Sequence, residues 1–173
     1  RQNHERLASL DEALGREAAR LRPSAWEEVR DFFHYCDNYI DAVDRAAEHF
    51  ATADGGHSNI RVAAVSALAN SDVSVTFEDS DTLRKFDQGK KTVHISTRAA
   101  HESQTFQLLL QVALIRQDKL LEATLDLARF QTNEARAIAK IGLANYFAGA
   151  ALMPYTAFLR AAQSTRHDLE RLA

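Results

Sequence analysis

The architecture is indicated most directly by residues 143–154, which read Leu143-Ala144-Asn145-Tyr146-Phe147-Ala148-Gly149-Ala150-Ala151-Leu152-Met153-Pro154. The apolar residues of this stretch continue a helical pattern that starts near residue 134, where Thr132 or Asn133 can cap the helix. Pro154 favours the first turn of a further helix because it has no backbone N–H to leave unpaired. Upstream, residues 106–114 are apolar except for two glutamines.

Residues 143–154 resemble a signature of the ImmA/IrrE metallopeptidases, a zincin-like family in which this segment follows a zinc helix with the motif H-E-x-x-H. Residues 106–114 resemble that zinc helix, F-T-x-A-H-E-x-G-H. The family's two zinc histidines, its general-base glutamate and its third zinc ligand would fall, in that order, on Leu110 and Leu114, on Gln111, and on Ile141 or Leu143. The resemblance covers roughly residues 58–160 and implies a zincin-like scaffold.

None of these side chains can perform zincin chemistry. Zinc is held by nitrogen, thiolate or carboxylate donors, and a general base must be titratable. The resemblance therefore implies a domain with no metal site, no catalytic residues and no enzymatic activity. The seven histidines show no spacing typical of a metal site. A metallopeptidase is the less favoured alternative.

The composition is that of an ordinary globular chain. Of its 173 residues, 46% are hydrophobic and 26% are charged, and the formal net charge is −3. A domain that binds DNA by itself is usually basic, so we expect DNA contact only through a domain outside this sequence. There is no membrane-length apolar run and no signal peptide, and Cys36 is the single cysteine, which together favour a cytoplasmic location without membrane contact. The chain begins at Arg1, and we expect it to be a piece of a longer protein.

The apolar pattern is helical at both ends of the chain and alternates in the middle. Helices are predicted at residues 3–21, 24–50, 58–70, 102–117, 119–130, 134–151 and 155–171. Strands are predicted at 73–78, 83–86 and 92–96, the last two joined by a hairpin turn at 87–90. The predicted fold class is α+β and predominantly α, with zincin-like helices, one small antiparallel sheet and a long N-terminal helix pair. We expect residues 1–53 to form that helix pair and residues 58–173 to form the zincin-like domain.

The N-terminal helix pair narrows the family further. Residues 27–48 resemble the helix V-R-D-x-F-x-x-x-x-N-Y-x-x-x-L-D-x-A-A-E of the short-chain fatty acyl transcriptional regulators, which are actinobacterial XRE-type proteins. Residues 130–136 and 141–146 also resemble these regulators more than the active peptidases, while Cys36 and Asp37 fall at variable positions of the pattern. The resemblance implies the effector-sensing domain of a regulator of propionate or acetate metabolism, with coenzyme A (CoA) or a short acyl-CoA as its ligand.

Basic side chains around the predicted hairpin are candidates for binding the phosphates of that ligand. They are Arg84, Lys85, Lys91 and Arg98, with Lys90 at the tip of the turn. A CoA molecule brings about four negative charges and needs local cations even on an acidic domain. The alternative is that the lysines are solvated and protect an edge of the sheet. Strand alternation places Arg84 on the face opposite Leu83.

Two glutamines and two tyrosines complete the predicted ligand site. Gln107 and Gln111 lie four residues apart on an apolar helix, so both can face one cleft. A thioester, a pantetheine amide or a backbone group would satisfy their amides, and an exposed polar edge is the alternative. Tyr146 and Tyr155 offer rings to stack on adenine and hydroxyls for phosphate, with plain packing as the alternative.

The ligand is expected in a cleft between the hairpin and the helices 102–117 and 134–151. A competing hypothesis is a ligand-free module that only dimerises the regulator, because the two N-terminal helices carry enough apolar surface for a symmetric contact. We expect a homodimer.

Overall fold

The computed structural model describes residues 24–53 and 59–153. Within these ranges the elements follow the order α1 (Ala25–Tyr35), α2 (Asp41–Thr52), α3 (Ile60–Ala69), β1 (Ser74–Glu78), β2 (Arg84–Asp87), β3 (Thr92–Ser96), α4 (His101–Arg116), α5 (Asp118–Ala128) and α6 (Asn133–Leu152). The predicted α+β class, predominantly helical with one small sheet, is confirmed. The predicted helices 3–21 and 155–171 lie outside the described residues.

Polar caps explain where several helices begin. At α1, the Ser24 side chain accepts a hydrogen bond from the Glu27 backbone N–H, and the Glu27 carboxylate accepts one from the Ser24 N–H. The side chains of Asn59 and Thr132 accept backbone N–H groups in the first turns of α3 and α6. Each cap satisfies a donor that the first helical turn leaves unpaired. Of the two caps predicted for α6, Thr132 is the one that is used.

The single long helix predicted from residue 24 to residue 50 is wrong, because the structure divides it into α1 and α2. Asp37 and Asn38 have φ angles of 52° and 57°, in the left-handed region that ends helices. The Asn38 N–H donates back to the Phe33 carbonyl at 2.9 Å. The apolar periodicity continues across the break, so periodicity alone does not reveal it. We call residues 36–40 the joint.

The three strands form one mixed sheet with the order β1-β3-β2. The strands β2 and β3 pair antiparallel as a hairpin, as predicted, but β1 pairs with β3 in parallel. The predicted antiparallel sheet is therefore corrected to a mixed one. The strand β3 lies in the centre, and its residues Val93 and Ile95 are fully buried. The strand β2 pairs with one side of β3, so β1 can pair only with the other side. There it runs parallel to β3.

One apolar core joins α1 and α2 to the rest of the described chain. Its fully buried members include Val43, Leu68, Leu109, Leu125 and Phe147. The helix α6 packs against α1, α2, α4 and α5. The described parts of the two predicted domains thus share one apolar core. Their division into two domains stays a prediction. No helix within the described ranges is long and apolar enough to cross a membrane.

Candidate functional site

The helix-facing side of the sheet carries a charged residue among apolar ones. Residues directly opposite each other on paired strands point to the same side of a sheet. By the observed register, this side presents Val75, Phe77, Arg84, Phe86, Val93 and Ile95. The strand β3 packs against α4. Arg84 is therefore placed on the inner side, opposite to the exposed Leu83, as strand alternation predicts.

Arg84 contacts Gln111 of α4 across this interface. Its Nη1 donates a hydrogen bond to Gln111 Oε1 at 2.5 Å, and Gln111 is only 2% exposed. The Arg84 Nε is buried without a hydrogen-bond partner. Burial lowers the pKa of Arg84, and no carboxylate of the described residues opposes that shift. The structure thus holds a half-buried cation that has an amide as partner and retains an unused donor.

The positions that the resemblance assigns to zinc ligands lie on α4 and α6. Leu110 is buried on α4 and Leu114 is half-buried one turn further on. Of the two candidates for the third ligand position, Leu143 is fully buried in α6 whereas Ile141 is 41% exposed, so Leu143 matches an inward-facing ligand better. Within residues 24–53 and 59–153, no three His, Cys, Asp or Glu side chains are grouped so that they could hold a metal ion. The predicted absence of a metal stays a prediction for the whole chain.

The other predicted basic residues do not join Arg84. Lys85 pairs in register with His94 and therefore points to the outer face of the sheet. Lys91 lies exposed in the turn between β2 and β3, with a φ angle of 45°. The guanidinium of Arg98 binds Asp79 at 2.5 Å and also binds Asp81. Arg98 is thus already paired with two carboxylates, and Arg84 is the predicted cation that faces α4.

A third glutamine, which sequence reasoning missed, lies on the same helix. Gln104 donates to the Ser96 carbonyl at 3.0 Å and accepts from Arg61 at 2.9 Å. With the half-buried Gln107 and with Gln111 it forms a stripe at the i, i+3, i+7 spacing of one helix face. That spacing is visible in the sequence and would have predicted a polar seam between α4 and the sheet.

Tyr146 uses its hydroxyl to connect α6 to the joint. The hydroxyl donates to Asp44 Oδ1 at 3.2 Å and accepts from the Ile40 backbone N–H at 3.3 Å. Burial, together with the charge of Asp44, raises the pKa of Tyr146 to about 12. The ligand contact predicted for this tyrosine stays a prediction, but its hydroxyl already has two protein partners. Tyr155, the other predicted tyrosine, lies outside the described residues.

A groove that the sequence did not predict lies beside the joint. It has a volume of about 630 Å³ and is formed by residues of α1, the joint, α5 and the turn before α6. Its apolar lining consists mainly of Phe32, Tyr35, Tyr39, Ile40, Leu127 and Phe130. Tyr35 and Leu127 are 89% and 85% exposed. The groove depends on the break between α1 and α2, which explains why a continuous helix did not suggest it.

The family of this chain is shown by a match to a known domain family. The family model described as an IrrE N-terminal-like domain matches residues 70–173. The chain belongs to the IrrE N-terminal-like domain family. In this IrrE-like domain, α4 and α6 are the two helices that carry the sequence resemblance to ImmA/IrrE proteins, and that resemblance is confirmed.

Relatives of the IrrE-like domain are transcriptional regulators. The propionyl-CoA carboxylase regulator of Cereibacter sphaeroides is 64% identical over 173 residues, which is 100% of this chain and 37% of that protein. The HTH-type transcriptional regulator PrpR of Mycobacterium tuberculosis is 38% identical over 157 residues, 87% of this chain and 32% of that protein. The predicted similarity to this group of regulators is confirmed. The chain spans about a third of the length of these relatives.

A solved structure supports the same grouping. A Mycobacterium tuberculosis transcriptional regulator superposes on the IrrE-like domain with a TM-score of 0.76 at 34% identity. The match covers 87% of this chain and 47% of that one. The same arrangement of helices and small sheet therefore occurs in a transcriptional regulator, although the matching domain family is a peptidase-like one.

Proposed function

We propose that this chain is the effector-sensing domain of a transcriptional regulator of propionate or acetate metabolism, and that it binds CoA or a short acyl-CoA. The observation that carries the proposal is the half-buried Arg84, whose partner is the Gln111 amide and whose Nε is unpaired. A cation in such a place lacks a counter-charge, and an anionic ligand would supply it. Gln111 stands where the resemblance puts the general base, so the ligand would occupy the former catalytic cleft.

The names of the relatives support this assignment. One is called a regulator of propionyl-CoA carboxylase, and another is called an HTH-type transcriptional regulator. We infer that DNA is contacted through a helix-turn-helix domain outside this chain, whose own net charge of −3 disfavours DNA. A cytoplasmic location follows from that role.

The chemistry of CoA fits the site in two parts. Its phosphates need cationic donors, and the guanidinium of Arg84 has a fork of N–H groups that suits them. Its pantetheine amides and thioester carbonyl need neutral partners, which Gln107 and Gln111 can provide. Lys85 and Lys91 lie on the outer face and in the turn, so they would contribute at longer range.

We further propose that the domain is not a peptidase. The support is the identity of the side chains at the zincin positions, which are Leu110, Gln111, Leu114 and Leu143. The test is metal analysis of protein purified without chelator, combined with a peptide hydrolysis assay. One tightly bound zinc per chain, together with hydrolysis that a chelator abolishes, would show that the domain is an enzyme.

Calorimetric titration with CoA, propionyl-CoA and acetate tests the ligand. We expect heat from the CoA compounds and none from acetate, because acetate lacks the phosphates. Arg84→Ala and Gln111→Ala should each weaken binding by about 1–3 kcal/mol, the cost of losing a charge-assisted or buried hydrogen bond. Thermal unfolding of each variant verifies that the fold persists.

The matched control is Lys90→Ala, which removes a cation that is exposed at the tip of the hairpin turn. It should leave the affinity nearly unchanged, whereas Lys85→Ala reports whether the outer face of the sheet takes part. If CoA and propionyl-CoA give neither heat nor a thermal shift, the proposed ligand is wrong. If they bind but Arg84→Ala binds equally well, the ligand is right and its position is wrong.

A second candidate function is a dimerisation module. The observation in its favour is the exposed apolar lining of the groove, where Tyr35 and Leu127 are almost fully accessible. Two measurements together decide between the functions: light scattering gives the oligomeric state, and the titration shows whether a CoA compound binds. A dimer that Tyr35→Ser dissociates, in a chain that binds no CoA compound, would favour the module.

A further inference from the structure

The joint between α1 and α2 has an unusual backbone conformation. Two consecutive non-glycine residues, Asp37 and Asn38, adopt left-handed backbone angles there, and both are exposed. Among residues with a Cβ, Asn and Asp adopt this conformation most readily, and two in succession turn the chain sharply. Local backbone hydrogen bonds hold the turn, from Asp37 N–H to the His34 carbonyl at 3.0 Å and from Asn38 N–H to the Phe33 carbonyl at 2.9 Å, while the placement of α2 beyond it needs a further contact.

The anchor on the α2 side comes from a distant residue. The N-cap of α2 is Ile40, which has no side-chain group that could cap a helix. The Tyr146 hydroxyl contacts the first turn instead, accepting from the Ile40 N–H and donating to Asp44 Oδ1. Tyr146 is 106 positions from Ile40 and 102 positions from Asp44 in the sequence. We call these two contacts the Tyr146 link.

The other end of the link lies on α6, which packs against the helix that carries Gln111. Tyr146 follows Leu143 by three residues on α6, about one helical turn. Leu143 is fully buried, and α6 packs closely against α4, the helix that carries Gln111. The same α6 also packs against α2. A rearrangement at α4 that also moves α6 against α2 would change the position of the Tyr146 hydroxyl relative to Ile40 and Asp44.

We propose that Tyr146 is a positioning residue that transmits occupancy of the Arg84–Gln111 site to the joint. The inference rests on the proposed function, because it requires a ligand at that site. A ligand can shift the joint only if it binds one arrangement of α4 and α6 better than another. The Tyr146 link makes two arrangements distinguishable, since its hydrogen bonds are either formed or broken. Cys36, Tyr39 and Ile40 also line the groove, so a change at the joint alters an accessible surface.

The single cysteine of the chain provides a reporter at this place. Cys36 is half-buried within the joint and lines the groove, so a change in its rate of alkylation by iodoacetamide, measured by mass spectrometry, reports a change in its exposure there. Tyr146→Phe removes the hydroxyl of the link and keeps the ring. Asp44→Ala removes the acceptor from the other end, on a residue that is not part of the ligand site. The matched control is Tyr39→Phe, which removes an exposed hydroxyl within the joint whose hydrogen bond goes to Asp41 of α2 at 3.1 Å.

Without ligand, we expect Tyr146→Phe and Asp44→Ala to alkylate about three to ten times faster than the unaltered chain, as the loss of a partly buried hydrogen bond would give. Tyr146→Phe should be the faster of the two because it loses both bonds of the link, whereas Asp44→Ala loses one. Tyr39→Phe should stay within about twofold, because water replaces an exposed hydrogen bond. Propionyl-CoA, which has no free thiol, should change the Cys36 rate in the unaltered chain and in Tyr39→Phe. Asp44→Ala should still bind propionyl-CoA in the calorimeter, but its Cys36 rate should no longer respond.

Several results would overturn the inference. One is a Cys36 rate in Tyr146→Phe and Asp44→Ala equal to that of the unaltered chain. Another is a full response to propionyl-CoA in Asp44→Ala. A loss of propionyl-CoA affinity in Tyr146→Phe but not in Asp44→Ala would show that Tyr146 contacts the ligand itself. If propionyl-CoA binds none of the proteins, the proposed function and this regulatory role both fail, and the ligand-free rates then decide whether Tyr146 holds the joint at all.

Discussion

Gly142→Ala is expected to destabilise the domain although alanine is the better helix former. Gly142 lies in α6, and a Cβ added there would lie 3.1 and 3.2 Å from Cε2 and Cζ of Phe33 on α1. On one side the Phe33 ring packs edge to face against Phe32 with centroids 5.3 Å apart, which limits its movement in that direction. Phe32 in turn packs against Phe130 at 5.4 Å. The added methyl group would therefore force the Phe33 ring to shift within the contact between α1 and α6.

Two opposing effects set the size of the change. Inserting a methyl group into a well-packed contact costs about 1–3 kcal/mol. Replacing glycine by alanine inside a helix gains about 1 kcal/mol. The net expectation is a loss of about 1 kcal/mol in the free energy of unfolding, which urea unfolding followed by circular dichroism can measure.

The same helix offers a matched control. Gly149 also lies in α6, but a Cβ added there meets nothing within 4 Å. Gly149→Ala should therefore gain up to about 1 kcal/mol from helix propensity alone. The difference between the two variants isolates the cost of the contact with Phe33, and Phe33→Leu combined with Gly142→Ala should recover part of it. If both alanine variants stabilise the domain equally, the close packing of α1 on α6 is refuted.

Two further predictions concern charges. Hydrogen bonds from Lys140, at 2.7 Å, and from Arg136 hold the pKa of Glu122 below its ordinary value, so its stabilising contribution is present near neutral pH and is lost as the pH falls through the lowered pKa. As the pH falls below the ordinary pKa of a glutamate, the unaltered chain should lose stability more steeply than Glu122→Gln, by a modest amount because the site is solvent-accessible. Equal slopes in pH-dependent unfolding would contradict this. Arg84→Met combined with Gln111→Leu should raise the melting temperature and abolish CoA binding, because it replaces a costly half-buried cation and its amide partner by apolar groups. An unchanged or lower melting temperature would show that the Arg84–Gln111 pair stabilises the fold.

Local sequence signals were enough to locate most elements of this domain. The Ser24–Glu27 capping box and the Thr132 cap mark helix starts that the structure confirms. Alternation of apolar residues places the strands within about one residue of their observed bounds. These features depend on neighbours a few residues apart, so they can be read from the chain directly. The resemblance at residues 143–154 likewise identified the family.

The candidate site was only partly accessible to such reasoning. Sequence position grouped Arg84, Lys85 and Arg98 as one basic cluster. The sheet separates Arg84 from Lys85 by turning them to opposite faces, and Asp79 and Asp81 occupy the Arg98 guanidinium. Sequence alone could suggest that Arg84 and Gln111 bind a ligand, but not that they bind each other.

What the sequence by itself determined is therefore local: where helices and strands begin, which faces are apolar, and which family signature the chain carries. Tertiary structure decided that α1 and α2 separate at Asp37 and Asn38, that β1 runs parallel to β3, and that Tyr146 bonds to Ile40 and Asp44. The pairing of β1 with β3 and the hydrogen bonds of Tyr146 join residues far apart in the chain, whereas the break at Asp37 and Asn38 is closed by local backbone hydrogen bonds that apolar periodicity does not record. Apolar periodicity records that a residue is buried but not what it is buried against, and only the packed structure supplies that partner.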